Sequence, residues 1–441
     1  MTIREASRAL RSRQLSSVEL TSQCLAQVAK LNPSLNAFIT VTGEAALERA
    51  KTADREIAQG IDRGPLHGIP VAHKDLISTR GVRTTSGSKL FHDYIPDASA
   101  PIVERLEAGG VVMVGKTGLH ELAYGITSDN PHFGAVRNPI DPARTPGGSS
   151  GGSGVAVATG MALMATGTDT GGSIRIPASF CGIAGLKPTY GLIDRSGIQP
   201  LGLSLDHVGP MTRTVADLGC ALEAMLGEDE RRLRQAPASI QYIRIGLPEN
   251  FYFSLVSAEA RDAVHRMARK AEDLGARVIP VKVPDVDTLN DVARVILLGE
   301  ASAIYERYMD RRQDFGADVL ALLDQGRLVP ATHYVNAQRL RKILTAEFRA
   351  LFEGIDCLFT PATPTTAPLI GQYQIELDGQ TVDTRLATTR VLRGINVLGF
   401  PALAMPSGHS ADGLPLGLQI IGRPFEENLL LALGEALESP A

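Results

Sequence analysis

The chain has 441 residues, 44% of them hydrophobic, enough for one large domain or several ordinary ones. Its formal net charge of −4 leaves no basic excess with which to hold nucleic acid or an acidic membrane surface. The opening run MTIREASRALRSRQLSSVEL lacks a continuous apolar stretch, and no run approaches the roughly 18 apolar residues of a membrane span, so a cytoplasmic protein is expected.

Residues 4–60 read as helices. Leu10, Leu15, Val18, Leu20, Leu25, Val28 and Leu31 recur at helical spacing, and Pro33 is expected to close the segment. GIPVAHKDL (68–76) reads as a short buried strand. APIVERLEAGG followed by VVMVGK predicts a helix, a Gly-Gly stop and a strand. SSGGSGVAVATG predicts a small-residue helix and ALMATGTD a strand after it. YIRIGLP, ARVIPVKVP and DCLFTPATP are further strands, with helices such as SAEARDAVHRMARKAEDLG between them. Residues 300–350 are helical and charged and are expected to cover the site. Alternating helix and strand predicts an α/β sheet with helices on both faces. With no internal repeat and no linker, residues 1–441 read as one domain, with N-terminal helices over 1–63 and a catalytic core over 64–225. The four cysteines, Cys24, Cys181, Cys220 and Cys357, lack metal-ligand or redox spacing and read as buried reduced thiols.

Glycine is abundant, 44 residues against an average of about 7%, and the excess gathers at 145–182. Three motifs compete there and just upstream. GVVMVGKT (110–117) fits a phosphate loop letter for letter, but Val-Val-Met-Val between the glycines prefers strand, so the reading is a helix–strand unit ending in an exposed Lys116. GGSSG (147–151) fits a nucleophile elbow around Ser149, yet the proline-rich NPIDPARTP before it is no strand. His207, His265, His333 and His409 have no context suggesting a triad partner. The third reading joins two serines and a lysine. Ser173 follows GTDTGG, where small residues let backbone N–H groups converge on one spot and hold an oxyanion. A serine there needs a base. Lys74 ends an apolar strand, and burial lowers a lysine pKa. Ser149, on its own glycine turn, could relay a proton between them. The same residues also fit a lysine paired with an acid and two serines on ordinary turns.

The segment GGSSGGSGVAVATGMALMATGTDTGGSIRIPASFCGIAGLKPTYG resembles the signature of the amidase signature family. HGIPVAHKDL, LDHVGPMTRTVADL, FTPATPTTAP and GLPLGLQIIGRPFEENLLL extend the resemblance over most of the chain from residue 64. The resemblance implies a central mixed, twisted β-sheet flanked by helices, and a Ser–cisSer–Lys unit whose serines lie 24 positions apart, as Ser149 and Ser173 do. It assigns Ser173 as nucleophile, Ser149 as bridging serine beside a cis peptide, and Lys74 as base. It further implies an oxyanion site from the backbone of Thr170, Gly171, Gly172 and Ser173, without metal or cofactor. Asp169 and Arg175 are expected to brace the loop. Ser150 and Ser153 are expected to cap a helix, and His73 to point away from Lys74 into the core.

The implied substrate is a small-molecule amide, with esters and carbamates open to the same chemistry; the alternative is the glutamine-hydrolysing subunit of a tRNA-dependent amidotransferase. Against the alternative, Ile176 replaces the Gln of SIRQP and Thr389 stands where an Asp would grip the glutamine α-amine. For it, Arg341 sits near where an Arg would bind the glutamine carboxylate. The pocket is expected from 121–130 and 300–345; Tyr124, Gly125 and Ile126, with Ile176, suggest an uncharged acyl or aryl group. A homodimer is common in the family.

Overall fold

The computed structural model describes residues 1–237 and 239–438, with the side chains of residues 228 and 230 left aside. Among them the strands are β1 (Phe38–Val41), β2 (Pro70–Lys74), β3 (Val112–Thr117), β4 (Met164–Asp169), β5 (Ala184–Lys187), β6 (His207–Thr212), β7 (Arg244–Pro248), β8 (Arg277–Val281), β9 (Cys357–Pro361), β10 (Gln374–Leu377), β11 (Gln380–Asp383), β12 (Ala402–His409) and β13 (Pro415–Gly422). Eleven form one sheet in the order β1-β3-β2-β4-β6-β5-β12-β13-β9-β7-β8, while β10 and β11 form a separate hairpin. The sheet is mixed: β3, β2 and β4 run parallel, as do β9, β7 and β8, and the strands between them alternate. The chain is thus a single α/β domain. β2, β4, β5, β6, β9 and β13 are buried at every residue, so the polar side chains they carry, among them His73, Lys74, Asp169 and Lys187, are buried with them.

The helices begin where side chains can accept the free N–H groups of a first turn. Thr2 with Glu5, and Ser16 with Glu19, form capping boxes for Ile3–Arg11 and Ser17–Leu35. Thr214, Ser257, Asp285 and Asp383 cap Val215–Leu226, Ala258–Asp273, Val286–Tyr305 and Thr384–Arg390.

The N-terminal segment departs from its sequence reading. The helix does not close at Pro33; it runs to Leu35 and ends on Asn36 in the left-handed region, φ 53°. β1 then interrupts what reads as helix over 4–60. It is a four-residue edge strand paired antiparallel with β3, too short for a periodicity of its own. That strand also overturns the exposed Lys116. β3 lies inside the sheet between β1 and β2, and Lys116 is wholly buried. Its ammonium donates to Ile77 O, Thr79 Oγ1 and Thr84 Oγ1, and burial pushes it down to about 8 against the pull of Asp75.

The parallel pairing of β2 with β4 positions the site. The registers Ala72 to Ala165 and His73 to Thr166 bring both C-terminal strand ends to one edge. Ligands of open α/β sheets bind outside such ends. Among the described residues no helix is long and apolar enough to cross a membrane.

Candidate active site

Lys74 is the last residue of β2 and is wholly buried. Its Nζ lies 2.7 Å from Ser149 Oγ and 2.7 Å from Thr168 Oγ1, near the end of β4. Burial pushes the amine down to about 7, although Asp169 and Asp206 pull it upward. Ser149 follows a cis peptide bond from Gly148. A Cβ on Gly148 would come within 2.7–2.9 Å of backbone atoms of residues 126–128, so only glycine lets these two segments touch.

Ser173 lies in the turn between β4 and the helix Arg175–Cys181. Its backbone meets the first turn, with Ser150 N donating to Ser173 O at 3.3 Å; the Ser173 and Ser149 hydroxyls are not hydrogen-bonded to each other. Gly172, at φ +126°, makes the sharp bend before the serine. Among the described residues nothing accepts from the amides of Thr170, Gly171 and Ser173. Gly172 differs from its expected role: its N–H donates to Asp169 Oδ1 at 2.8 Å and is committed to shaping the loop.

Asp169 organises this loop. It also accepts from Ile174 N, and from Arg175 through Nε (3.0 Å) and Nη2 (2.8 Å). Burial alone would raise its carboxyl, but the bidentate Arg175 holds it far below the usual carboxylate range. Arg175, itself wholly buried, donates further to Leu392 O, Asn396 Oδ1 and Gln419 Oε1. Thr170 Oγ1 donates to Asp206 Oδ1 at 2.6 Å. Thr168, Asn396, Gln419 and Asp206 were not legible as site residues. Thr168 could have been found from its position in GTDTGG; Asn396 and Gln419 lie more than two hundred positions from Arg175, with no local signal.

Ser150 and Ser153 do not cap the helix Gly151–Ala158. Ser150 Oγ donates across to Thr168 O, and Ser153 Oγ to Thr166 O, because the helix lies directly on β4 and its hydroxyls find that strand's carbonyls first. His73 is buried with Nδ1 3.1 Å from Thr166 Oγ1 and makes no contact with Lys74 Nζ. His207 Nδ1 donates to Leu205 O, His265 stacks on Phe253, and His333 and His409 are exposed.

Ser173, Thr170 and Gly171 form one wall of a cavity of about 780 Å³, open mouth included. Tyr124, Gly125 and Ile126 line it as expected, whereas Ile176 does not. Ile176 is wholly buried in the core behind Gly147 and Gly172, so its difference from Gln does not touch the cavity. Arg341 is also off the wall, donating to Val397 O at 2.7 Å and Ser204 O at 3.0 Å. Thr389 is on it. From 300–350 come only Leu322 and Gln325; the cover is built mainly by Ala293, Arg294 and Leu297 of Val286–Tyr305 and by residues 385–393. Beside the apolar residues from which an uncharged acyl or aryl group is expected, the lining includes Arg294, Arg385 and Arg393. Each lies in a helical segment of ordinary composition, so only the packing of those helices over Ser173 reveals them.

A family model described as Amidase matches residues 19–431. The A-type subunit of the glutamyl-tRNA(Gln) amidotransferase of Chloroflexus aurantiacus is 38% identical over 99% of this chain and 96% of its own length. Among solved structures, a protein described as part of a vestigial complex that reveals the evolutionary origins of an s-triazine catabolic enzyme superposes with TM-score 0.93 at 34% identity, covering 99% of this chain and 98% of that one. A structure described as an amidase gives TM-score 0.93 at 36% identity, with 99% of both chains covered.

Proposed function

The chain belongs to the amidase signature family, and from that premise we propose that it cleaves an amide C–N bond by acyl transfer through Ser173. The observation that carries this reading is Lys74: a buried amine near neutrality, 2.7 Å from a serine hydroxyl, at the strand edge that bears a second serine. Ser173 Oγ attacks the carbonyl carbon once its side chain turns toward Ser149. Its proton passes to Ser149 Oγ as the Ser149 proton passes to Lys74 Nζ. The tetrahedral oxyanion accepts from the free amides of Thr170, Gly171 and Ser173; one such donor contributes about 10²–10³-fold in rate. The Lys74 ammonium returns its proton through Ser149 to the leaving nitrogen, the C–N bond breaks, and water releases the acyl group by the same steps.

The cavity favours a stand-alone hydrolase of a small-molecule amide, because Thr389 is neutral and no carboxylate among the described residues lines the wall to hold an α-ammonium. Esters and carbamates expel their leaving groups through the same oxyanion and belong to the same reading. The names of the curated relatives favour a second reading, the glutamine-hydrolysing subunit of a tRNA-dependent amidotransferase. The purified chain alone is incubated with primary amides, anilides, aryl esters, carbamates and glutamine, beside Ser173→Ala. Turnover without a partner, lost in Ser173→Ala, is expected. Activity confined to glutamine, and only with a partner protein added, would establish the second reading. Turnover surviving Ser173→Ala would sink the acyl-transfer proposal itself.

A further inference from the structure

Three cations face the cavity beside Ser173, and none of the described residues lining it is an aspartate or glutamate. Arg393 is tethered through Nη2 to Leu386 O at 2.9 Å and to Thr389 Oγ1. Burial, and then the nearby charges of Arg294 and Arg385, push it down to about 9, so the three guanidiniums act on one another. The guanidiniums of Arg294 and Arg385 form no hydrogen bond or ion pair among the described residues, Arg385 being bonded only through its backbone, whose carbonyl accepts from Thr389 Oγ1. The acids closest in effect are committed or outside. Asp291 and Asp383 act on Arg393 only at a distance; Asp383 caps its own helix through Leu386 N. An adjoining cleft that shares Tyr124, Ile126, Leu322, Gln325 and Arg385 with this cavity carries Asp129, Asp318 and Asp383, with Asp318 paired to His120 at 2.9 Å.

A guanidinium as desolvated as that of Arg393, with two like charges beside it, is unfavourable until an anion joins them. A guanidinium presents a planar fork that fits a carboxylate through two parallel hydrogen bonds. We propose that the amide cleaved at Ser173 carries a carboxylate, or an anion of similar size, and no ammonium: the cavity is built for the half-amide of a small dicarboxylic acid. Leu201, Leu205 and Leu297 on the same wall suit a short methylene chain between the two ends. Glutamine carries a carboxylate too, but its ammonium would enter a space lined by three guanidiniums and, among the described residues, by no carboxylate. This inference rests on Ser173 being the nucleophile, and the experiment separates the two.

Initial rates are measured for the monoamides of malonic, succinic and glutaric acids, for butyramide and valeramide as neutral counterparts, and for glutamine. The wild type is compared with Arg294→Met, Arg385→Met, Arg393→Met, Arg393→Lys and Ser173→Ala. At least one half-amide is expected to exceed the neutral amides and glutamine in kcat/KM by about tenfold or more. Each Met variant is expected to lose about tenfold more on that half-amide than on butyramide, mainly through KM, with Arg393→Lys recovering part. Arg294 is exposed and untethered, so its replacement tests the charge without disturbing the fold. Neutral amides cleaved as well as half-amides in a Ser173-dependent way would overturn the anion proposal and leave the nucleophile standing. Half-amide turnover surviving Ser173→Ala would overturn the nucleophile. Malonate, succinate and glutarate are also titrated calorimetrically into the wild type and Arg393→Met. Binding weakened in the variant supports the anion site, and no binding to the wild type overturns it whatever the rates.

Discussion

A lysine in water keeps its proton to about pH 10.4. Lys74 loses it near 7 because the interior solvates an ammonium poorly and the two hydroxyls at 2.7 Å only partly replace water. The neutral form is the one that can take a proton from Ser149, so the direction of the pH effect is fixed. Below about 7 the amine is protonated and the relay is blocked; as pH rises through that value kcat/KM rises and then levels. The measurement is a profile of kcat/KM from pH 5 to 9 on any turned-over amide. A flat profile there would remove Lys74 as the base. Lys74→Ala should lower kcat by about 10²–10⁴-fold and abolish the step.

Two turns meet at one strand edge, and glycine is what lets the elements come that close. Gly148 has backbone atoms of residues 126–128 within 2.7–2.9 Å of where a Cβ would stand, and backbone cannot step aside as a side-chain tip can. Gly148→Ala should therefore destabilise the fold by about 1–3 kcal/mol or more, read as a lowered denaturant midpoint. Gly219, in the helix Val215–Leu226, has nothing within 4 Å of such a Cβ. There the helix propensity of alanine wins, and Gly219→Ala should stabilise by about 0.5–1 kcal/mol. Equal destabilisation at both positions would show that close approach is not what selects glycine at 148. This contrast was half legible: the Gly-Gly-Ser triplets mark the turns, but which glycine is forbidden a Cβ depends on the 126–128 loop arriving from elsewhere.

Arg175 binds distant parts of the chain together. It holds Asp169 beside the nucleophile, Leu392 and Asn396 at the helix Arg393–Leu398, and Gln419 on β13, so the loop that carries Ser173 and the helix that carries Arg393 share one anchor. Arg175→Met keeps the volume and removes the cation, leaving Asp169 buried without its partner. A loss of about 3–5 kcal/mol is expected by denaturant titration. Adding Asp169→Asn should recover part of it, since the uncompensated charge is then gone. A double variant no more stable than the single one would mean that packing, not charge, is what Arg175 contributes.

The strands Pro70–Lys74, Val112–Thr117, Met164–Asp169, Arg244–Pro248, Arg277–Val281 and Cys357–Pro361 and the two glycine turns could be read along the chain, because each depends on local pattern; the roles proposed for Ser149, Ser173 and Lys74 came from the resemblance, because the three lie too far apart in sequence for any local pattern to join them. The strand ends that carry Lys74 and Asp169 were legible from local pattern too. The edge strand over Phe38–Val41 was not, since four residues carry too little pattern, and the burial of Lys116 followed from it. Nor were the partners of Arg175, the commitment of the Gly172 amide to Asp169, or the three arginines over Ser173. A charged residue on a helix reads as solvent-facing until a neighbouring element decides otherwise. What fills the cavity wall is set by how the helices of residues 286–305 and 384–398 pack across the sheet edge, and that packing exists only in three dimensions.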